Sequence, residues 1–211
     1  MSRLLRLPIF PLPGAILFPR AQLPLHIFEP RYREMVRDAI DGDGQIGMIQ
    51  PHRVDDDNRA PLFASGCVGE IAGIEELDGG RFNIVLLGTR RFRFVRDVTV
   101  DCGYRCAEVD IEAFDDSEPP ALPLGHRAEV EREARRLGNA MGLAVDWDAV
   151  GRLDDEMLVN AIAQVAPFDV GAKQALLEQE TLLARADLLV QLMQFHRAAV
   201  MGGADVDQTI Q

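Results

Sequence analysis

The sequence predicts an α+β protein in which a strand-rich part is followed by a helical part. Up to about residue 114, apolar residues form short runs or alternate with polar ones, which is typical of β-strands. Residues 115–123, DDSEPPALP, have the composition of a linker. Beyond them, apolar residues recur every three or four positions, which indicates helices. We therefore predict a β-rich subdomain at 1–114, a linker at 115–123, a helical subdomain at 124–200 and a flexible tail at 201–211.

The chain opens with two short apolar segments on either side of a Pro-Gly turn at Pro13 and Gly14, and we predict that both are strands. A third apolar segment, Leu23 to Phe28, is predicted to be another strand. Pro30 is well placed as the first helical residue, because its fixed φ suits that position and its missing N–H would have no helical partner there. The helix is expected to end at Gly42.

A β-hairpin is the clearest local signal in the middle of the chain. Asp78-Gly79-Gly80 separates two strand-like segments, and Asp-Gly tolerates the positive φ that tight hairpin turns need. Arg91 to Val95 then alternates Arg and Phe, which predicts an edge strand with Phe toward the core and Arg toward water. Other strands are predicted at Ile46–Ile49, around Cys67 and Ile71, and through Ala107, Val109 and Ile111, and an exposed loop is predicted at His52–Pro61.

Helices are predicted throughout the second part of the chain. Asp169 and Thr181 are suitable N-caps for the last two, because a short side-chain oxygen can accept a free backbone N–H at a helix start. The predicted helices are roughly Gly125–Met141, Asp155–Ala166, Val170–Glu180 and Leu182–Val200.

The overall charge and the cysteine content restrict the class of protein. The 211-residue chain has a net charge of −12, which disfavours nucleic acids held through phosphate contacts and also disfavours anionic membrane surfaces. Three cysteines are too few, and odd in number, for a disulfide framework, which fits a reducing cytoplasm. The sequence has no apolar run of about eighteen residues, so we expect no membrane span and predict a cytoplasmic protein.

Several segments, taken in order, resemble one known family. The opening block LPIFPLPGAILFPRAQLPLHIFEPRYREMV at 7–36 is similar to the start of the Lon substrate-binding domain, the N-terminal module of the ATP-dependent Lon protease. GCVGEI at 66–71, FNIVLLGTRRFR at 82–93, and KQALLE at 173–178 with Arg185 following resemble later segments of that module. The resemblance implies a PUA-like, strand-rich pseudo-barrel followed by a C-terminal helical bundle.

The resemblance also implies a function, which is binding of polypeptide without catalysis. We expect a stand-alone substrate-binding domain that recognises unfolded segments or a partner protein, with the Lon protease itself as one candidate partner. The sequence indicates no oligomeric state.

The motifs of an ATP-dependent protease are not found in the sequence. The single lysine, Lys173, does not lie in a Gly-x4-Gly-Lys-Ser/Thr motif, so no P-loop is expected. The serines that could form a Ser-Lys dyad with it, Ser2, Ser65 and Ser117, do not lie in a recognisable nucleophile turn. We therefore predict no enzymatic activity, and an ATP-dependent protease label would come from the family name alone.

The predicted polypeptide-binding residues lie around the Pro-rich loop: Phe18, His26, Phe28 and Tyr32. On this interpretation some of them line a hydrophobic surface that meets an unfolded segment or a partner protein. The alternative interpretation is that most of them are core residues that hold the start of the first helix.

Two further functions remain open at this point. Arg90, Arg91 and Arg93, interleaved with Phe92 and Phe94, form a basic and aromatic cluster that would suit an RNA-binding PUA-like module. The third possibility is a small-ligand pocket between sheet and helices.

Metal sites are disfavoured by the spacing of the ligands. Cys102 and Cys106 form one pair at an unusual spacing, on a predicted strand where both would share a face, and structural zinc sites usually show paired short spacings. Asp41-Gly-Asp43-Gly44 resembles part of a calcium loop, but Ala39 and Gln50 would occupy positions that need carboxylates. We therefore predict no metal and no cofactor.

Overall fold

The computed structural model of the protein describes residues 3–53, 60–116 and 121–206, with side chains up to Val200. The chain divides into two compact units, Met1–Glu118 and Pro119–Gln211, which we call the β-rich unit and the helical unit. The division falls inside the segment 115–123 that was predicted to be a linker. The predicted α+β class, with a strand-rich sheet followed by helices, is confirmed.

The described part of the β-rich unit contains β1 (Leu4–Pro11), β2 (Gln22–Ile27), α1 (Pro30–Asp41), β3 (Gln45–Pro51), β4 (Leu62–Leu77), β5 (Arg81–Val98) and β6 (Arg105–Asp110). The described part of the helical unit contains α2 (Leu124–Ala140), α3 (Trp147–Gly151), α4 (Asp155–Val165), α5 (Val170–Leu177) and α6 (Leu182–Val206). Among these residues, no helix is long and apolar enough to cross a membrane.

The sheet closes on itself through its longest strand. The strand order is β2-β5-β4-β3-β1-β6, and β5 also pairs with β6, so β1, β3, β4, β5 and β6 form a ring. All pairings are antiparallel except that of β1 with β3. Two register shifts between β4 and β5 mark β-bulges, one that leaves Thr89 of β5 unpaired in the ladder and one that leaves Ala72 of β4 unpaired, and bulges allow long strands to bend around the ring. Strand β2 pairs with the first half of β5, outside the ring.

The prediction of an edge strand at Arg91–Val95 is wrong. This stretch lies within β5 and pairs with β4 on one side, where Cys67 faces Arg91, and with β6 on the other, where Val109 faces Phe94. Strand β6 follows β5 directly and pairs back onto it, and the alternation of Arg and Phe within five residues does not show whether a neighbouring strand pairs on each side. Phe92 points into the core as predicted and is fully buried.

The second apolar segment of the opening block is not a strand, which corrects another prediction. Ala15 to Phe18 has no regular secondary structure, although Leu17 and Phe18 are buried. A buried loop needs partners for its backbone groups, and the buried side chain of Gln50 supplies them. Its Oε1 accepts from the Gly14 N–H at 3.0 Å, and its Nε2 donates to the carbonyls of Leu12, at 2.8 Å, and Ala15.

Helix α1 covers one side of the sheet in the β-rich unit. Its buried residues are Tyr32, Met35, Val36 and Ala39, at the i, i+3, i+4, i+7 spacing of a single helix face. They pack with buried residues of β1, β2, β3 and β5 in one cluster. A second cluster, with Phe92 among its members, fills the other part of the ring.

The KQALLE segment and Arg185 hold the helices of the helical unit together. Lys173 Nζ donates to the Gln164 carbonyl at 2.7 Å, which ties α5 to the end of α4. The buried Arg185 donates to the Leu176 carbonyl at 3.2 Å and to Asn160 Oδ1 at 2.9 Å, which ties α6 to α5 and α4. Burial lowers the pKa of Lys173. These residues therefore have structural roles.

Both predicted N-caps of the helical unit are confirmed. Asp169 Oδ1 accepts from the Ala172 N–H at 2.8 Å, and Thr181 Oγ1 accepts from the Ala184 N–H at 3.1 Å. Helix α3 was not predicted, because five residues are too few to show helical periodicity. It is capped in the same manner by Asp146.

Candidate functional site: the outer face of strand β2

The four residues predicted to bind polypeptide fall into two pairs. Phe18 and Tyr32 are buried, and the Tyr32 ring packs against the Phe10 ring with centroids 4.3 Å apart. Phe18 and Tyr32 are therefore core residues, as the alternative interpretation proposed. His26 and Phe28 are exposed, so of the four only these two offer a surface.

Strand periodicity explains why His26 faces solvent. Leu23, Leu25 and Ile27 point toward the core, and the residues between them point away from it. Phe28 follows the strand directly, before the extended residue Glu29 and the first helical residue Pro30. Phe28 is 61% exposed, and its ring is stacked on the His26 ring with centroids 6.1 Å apart and an interplanar angle of 26°.

A row of hydrogen bonds crosses three strands from His26. Residues His26, Asn83 and Glu75 face one another in register on β2, β5 and β4. His26 Nδ1 lies 2.8 Å from Asn83 Oδ1, and Asn83 Nδ2 donates to Glu75 Oε2 at 2.8 Å. A carboxylate only accepts hydrogen bonds, so the Asn83 amide turns its nitrogen to Glu75 and its oxygen to His26. His26 therefore donates through Nδ1, and in the neutral ring Nε2 keeps its lone pair.

We call the four residues His26, Phe28, Asn83 and Glu75 the β2 surface. It combines one exposed phenyl ring, which can bury apolar area against a ligand, with an imidazole that is held in one orientation. Its chemistry suits recognition by contact and hydrogen bonding. Sequence reasoning missed Asn83 and Glu75, since only the strand register brings them beside His26.

The arginine cluster separates into one buried and two exposed residues. Arg91 pairs with Asp116, with Nη2 2.7 Å from Oδ1 and side-chain exposures of 2% and 6%. The Arg91 backbone N–H also donates to Asp116 Oδ2 at 2.7 Å, and the guanidinium lies 4.2 Å from the centre of the Phe114 ring. Asp116 was assigned to the predicted linker, and nothing in the sequence connects it with Arg91.

The surroundings of the two exposed arginines do not favour a phosphate backbone. Arg90 lines a cavity of about 280 Å³ together with Glu112, Asp115 and Asp116, whose carboxylates would repel phosphate. Arg93 lies 5.5 Å from the centre of the Phe114 ring. Phe92 is buried and cannot stack with a base.

Cys102 and Cys106 do not lie on the same strand. Cys106 is in β6, but Cys102 precedes the strand in a bend, so the prediction that both lie on one strand is wrong. The bend is held to α1, because Gly103 N–H donates to Glu34 Oε2 at 3.2 Å and the Tyr104 hydroxyl donates to Asp38 Oδ2 at 2.8 Å. Within residues 3–53, 60–116 and 121–206, no three His, Cys, Asp or Glu side chains are grouped to hold a metal ion.

The cysteines should differ sharply in reactivity. Cys67 and Cys106 are buried, and burial together with the neighbouring Cys102 thiol raises the pKa of Cys106 to about 11. The thiolate is the reactive form, so iodoacetamide at about pH 8 should label Cys102 in the native protein and the other two only after unfolding. Peptide mapping by mass spectrometry measures this. The C102S variant should stay unlabelled in its native state, and equal labelling of Cys106 would contradict the expectation.

The helical unit contains an apolar cavity of about 330 Å³. Helices α2, α3 and α4 contribute most of its lining, with Trp147 of α3 on one wall. The Trp147 ring approaches Gly138 of α2 closely, where a Cβ would lie 3.3 Å from it. Sequence reasoning missed this cavity because α3 is too short to be predicted.

The chain is similar to known proteins over most of its length. The family model described as the ATP-dependent protease La (LON) substrate-binding domain matches residues 6–194. The chain is 25% identical over 210 residues to Lon protease 2 of Myxococcus xanthus, covering 97% of this chain and 25% of that protein. It is 28% identical over 198 residues to Lon protease 2 of Sorangium cellulosum, covering 88% and 24%. The chain thus spans about a quarter of the length of these relatives.

Two solved structures show the same fold. The N-terminal domain of a Mycobacterium avium complex Lon protease superposes with a TM-score of 0.66 at 19% identity, covering 90% of this chain and 99% of that one. A Lon N-terminal domain protein from Xanthomonas campestris superposes with a TM-score of 0.67 at 24% identity, covering 89% and 98%.

Proposed function

The chain belongs to the family of LON substrate-binding domains, since the family model matches residues 6–194, and we propose that it binds unfolded polypeptide segments through the β2 surface. The observation that best supports this proposal is that Phe28 is 61% exposed, with its ring stacked on His26. Unfolded chains expose apolar side chains that folded proteins bury. Covering the Phe28 ring with such a side chain removes apolar area of both partners from water.

The hydrogen-bonded row supports the same proposal through preorganisation. Asn83 and Glu75 hold the His26 ring before a ligand arrives, so binding costs less side-chain entropy at this position. His26 Nε2 is then available to accept a hydrogen bond from a backbone N–H of the bound segment.

Strand β2 adds a second means of holding an extended segment. Within the described residues β2 pairs only with β5, so its other edge is not used by a neighbouring strand. Pro24 lies in the middle of β2, and proline in a sheet is placed with its nitrogen toward the unpaired edge. That edge therefore lacks one N–H donor, and we propose that side-chain contacts with Phe28 contribute more to binding than strand addition does.

We propose that the chain performs no catalytic step. Lys173 is its only lysine, and the amine is half-buried and donates to the Gln164 carbonyl at 2.7 Å. In that position it serves the packing of α5 on α4, which supports a binding function without a Ser-Lys dyad.

Truncating Phe28 tests the proposed surface. With fluorescein-labelled β-casein as an unfolded ligand, Phe28→Ala should weaken binding about tenfold, because most of the phenyl contact is lost. Fluorescence anisotropy measures the change. The matched control is Phe195→Ala, which truncates a phenylalanine of the helical unit that is 77% exposed and should change binding less than about twofold. Equal effects of the two variants would contradict the proposal.

Two further readouts separate the other ligand classes. A labelled single-stranded RNA should show no binding, and RNA binding that weakens steeply with salt would replace the polypeptide function. A crosslinked pull-down read by mass spectrometry distinguishes many unfolding-prone clients from one stoichiometric partner, such as a Lon protease.

A further inference from the structure

Cys102 and Cys106 form a pair of neighbouring thiols beside α1. A hydrogen bond joins the two side chains. The Cys102 thiol also donates to the Tyr104 carbonyl oxygen, 3.3 Å from Sγ, and this contact turns its side chain toward the start of β6. The Tyr104 hydroxyl donates to Asp38 of α1, and both cysteines contribute to the electrostatic environment of that hydroxyl. The two sulfur atoms therefore lie together in the native fold.

The bend before β6 makes this approach possible. Along an extended strand, residues four apart have Cα atoms about 13 Å apart, whereas a disulfide spans at most about 7 Å. Residues 101–104 form a bend, so the chain turns back and brings Cys102 to Cys106, the second residue of β6. Cys102 takes no part in the pairing of β5 with β6, so it can move toward Cys106 without breaking that pairing.

The two thiols differ in access and in acidity. Cys102 is half-buried, whereas Cys106 is only 8% exposed. Burial, the Cys102 charge and the hydrogen bond with Cys102 raise the pKa of Cys106 to about 11. A hydrogen bond that favours the protonated form of Cys106 makes Cys106 the donor and Cys102 the acceptor. Cys102 is therefore the thiol that meets a dissolved reagent, and Cys106 keeps its proton beside it.

The chemistry available to this pair is that of thiols. A structural zinc site uses four ligands, and within the described ranges no three His, Cys, Asp or Glu side chains are grouped to hold a metal ion. Redox-sensing cysteines are accessible and often lie next to a second cysteine that attacks the oxidised sulfur. Cys102 and Cys106 have this arrangement.

From these observations we infer that Cys102 and Cys106 are a site of reversible oxidation, at which a hydroperoxide converts the two thiols into an intramolecular disulfide. The inference goes beyond the proposed function and involves none of the residues of the β2 surface. It assigns the pair a modification chemistry rather than a role in holding the fold.

The reaction has two steps. In the first, the Cys102 thiolate attacks one oxygen of hydrogen peroxide, so that an S–O bond forms and the O–O bond breaks, and the released hydroxide takes the proton given up by Cys102 as water. In the second, the Cys106 sulfur attacks the Cys102 sulfur, so that an S–S bond forms and the S–O bond breaks. The departing hydroxide takes the Cys106 proton as a second water. Two thiols are oxidised and one peroxide is reduced to two waters.

The disulfide should be reduced readily. It closes a very short loop, so it gains little stability from chain entropy. Exposed disulfides are more easily reduced than buried structural ones, so a dithiol such as dithiothreitol returns both thiols. Closing the disulfide also protects Cys102 from further oxidation to the sulfinic acid, which dithiols do not reverse.

Tryptic digestion gives a direct readout of the disulfide. Trypsin cleaves after Arg105, between the two cysteines, and releases 97–105 and 106–127 as separate peptides. After native protein is treated with hydrogen peroxide at about pH 8, then alkylated and digested without reductant, mass spectrometry should find the two peptides joined with the loss of two hydrogen atoms. Dithiothreitol added before alkylation should separate them.

Removing the second thiol should trap the first intermediate. In Cys106→Ser the oxidised Cys102 has no neighbouring thiol, so labelling of its sulfenic acid by dimedone should be at least about fivefold greater than in the wild-type protein. Cys67→Ala is the matched control, because it removes a buried cysteine outside the pair and should leave the joined peptides and the dimedone labelling as in the wild type.

Three results would overturn the inference. The first is equal dimedone labelling of Cys102 in the wild type and in Cys106→Ser, with no joined peptides. The second is a disulfide between the Cys102 residues of two copies of the chain. The third is joining of the two peptides only when peroxide is added in urea, since the native fold would then not bring the thiols together. None of these results bears on the Phe28→Ala test of the β2 surface.

Discussion

Replacing Arg91 with methionine should lower the free energy of unfolding of the β-rich unit by about 3–5 kcal/mol, because it leaves the Asp116 carboxylate buried without its partner. The pair is almost fully buried, and the guanidinium donates to Asp116 through Nε at 2.9 Å and Nη2 at 2.7 Å. Methionine retains much of the apolar stem of arginine, so the loss reflects mainly the missing charge and hydrogen bonds.

Urea unfolding followed by far-UV circular dichroism measures this effect. The matched control is Arg90→Met, since Arg90 is the neighbouring residue on the same strand and is exposed, and a change below about 0.5 kcal/mol is expected there. Arg91→Lys should fall between the two, because lysine keeps the charge but not the forked geometry. A loss below about 1 kcal/mol for Arg91→Met would show that this pair does not stabilise the fold.

Gly88→Ala should destabilise the β-rich unit by about 3 kcal/mol or more, or prevent its folding. A Cβ at this position would overlap the backbone carbonyl of Phe18, and backbone yields less readily than a flexible side chain. The approach is fixed by two hydrogen bonds, from Arg20 N–H to the Gly88 carbonyl at 2.7 Å and from Gly88 N–H to the Ala21 carbonyl at 2.9 Å. The substitution therefore pushes β5 away from the loop before β2.

Gly73→Ala is the control for this prediction, because Gly73 also lies in a strand of the ring and a Cβ there would meet Val85 at an ordinary contact distance of 3.7 Å. We expect it to change stability by less than about 1 kcal/mol. Thermal and urea unfolding of the two variants should separate them clearly. Similar midpoints for both would mean that the loop at Phe18 can move away at little cost.

The sequence predicted the local elements of this protein well where a local signal exists. Pro30 marks the start of α1, the Asp78-Gly79-Gly80 turn joins β4 to β5, and Asp169 and Thr181 cap their helices. Each of these depends on the backbone preferences of a few neighbouring residues, which a sequence shows directly.

Predictions failed where contacts with another segment decide the outcome. Ala15 to Phe18 has the composition of a strand. The Gln50 side chain, however, forms hydrogen bonds with the backbone of this loop at Gly14 and Ala15. Arg91 to Val95 has the pattern of an edge strand, but β6 closes the ring beside it. Gln50 lies 35 residues from Ala15, and β6, although it is the next strand, lies outside the segment that carries the pattern.

By itself, the sequence determined the order and type of most elements, the strand-rich and helical parts, and membership of the LON substrate-binding family. These follow from local periodicity and from motifs that keep their order along the chain. Only the tertiary structure decided which aromatic residues are exposed: Phe18, in the loop before β2, is buried, and Phe28, at the end of β2, is exposed. It also decided that Arg91 meets Asp116 and that Trp147 lines a cavity, because burial and pairing depend on contacts between segments that lie far apart in sequence.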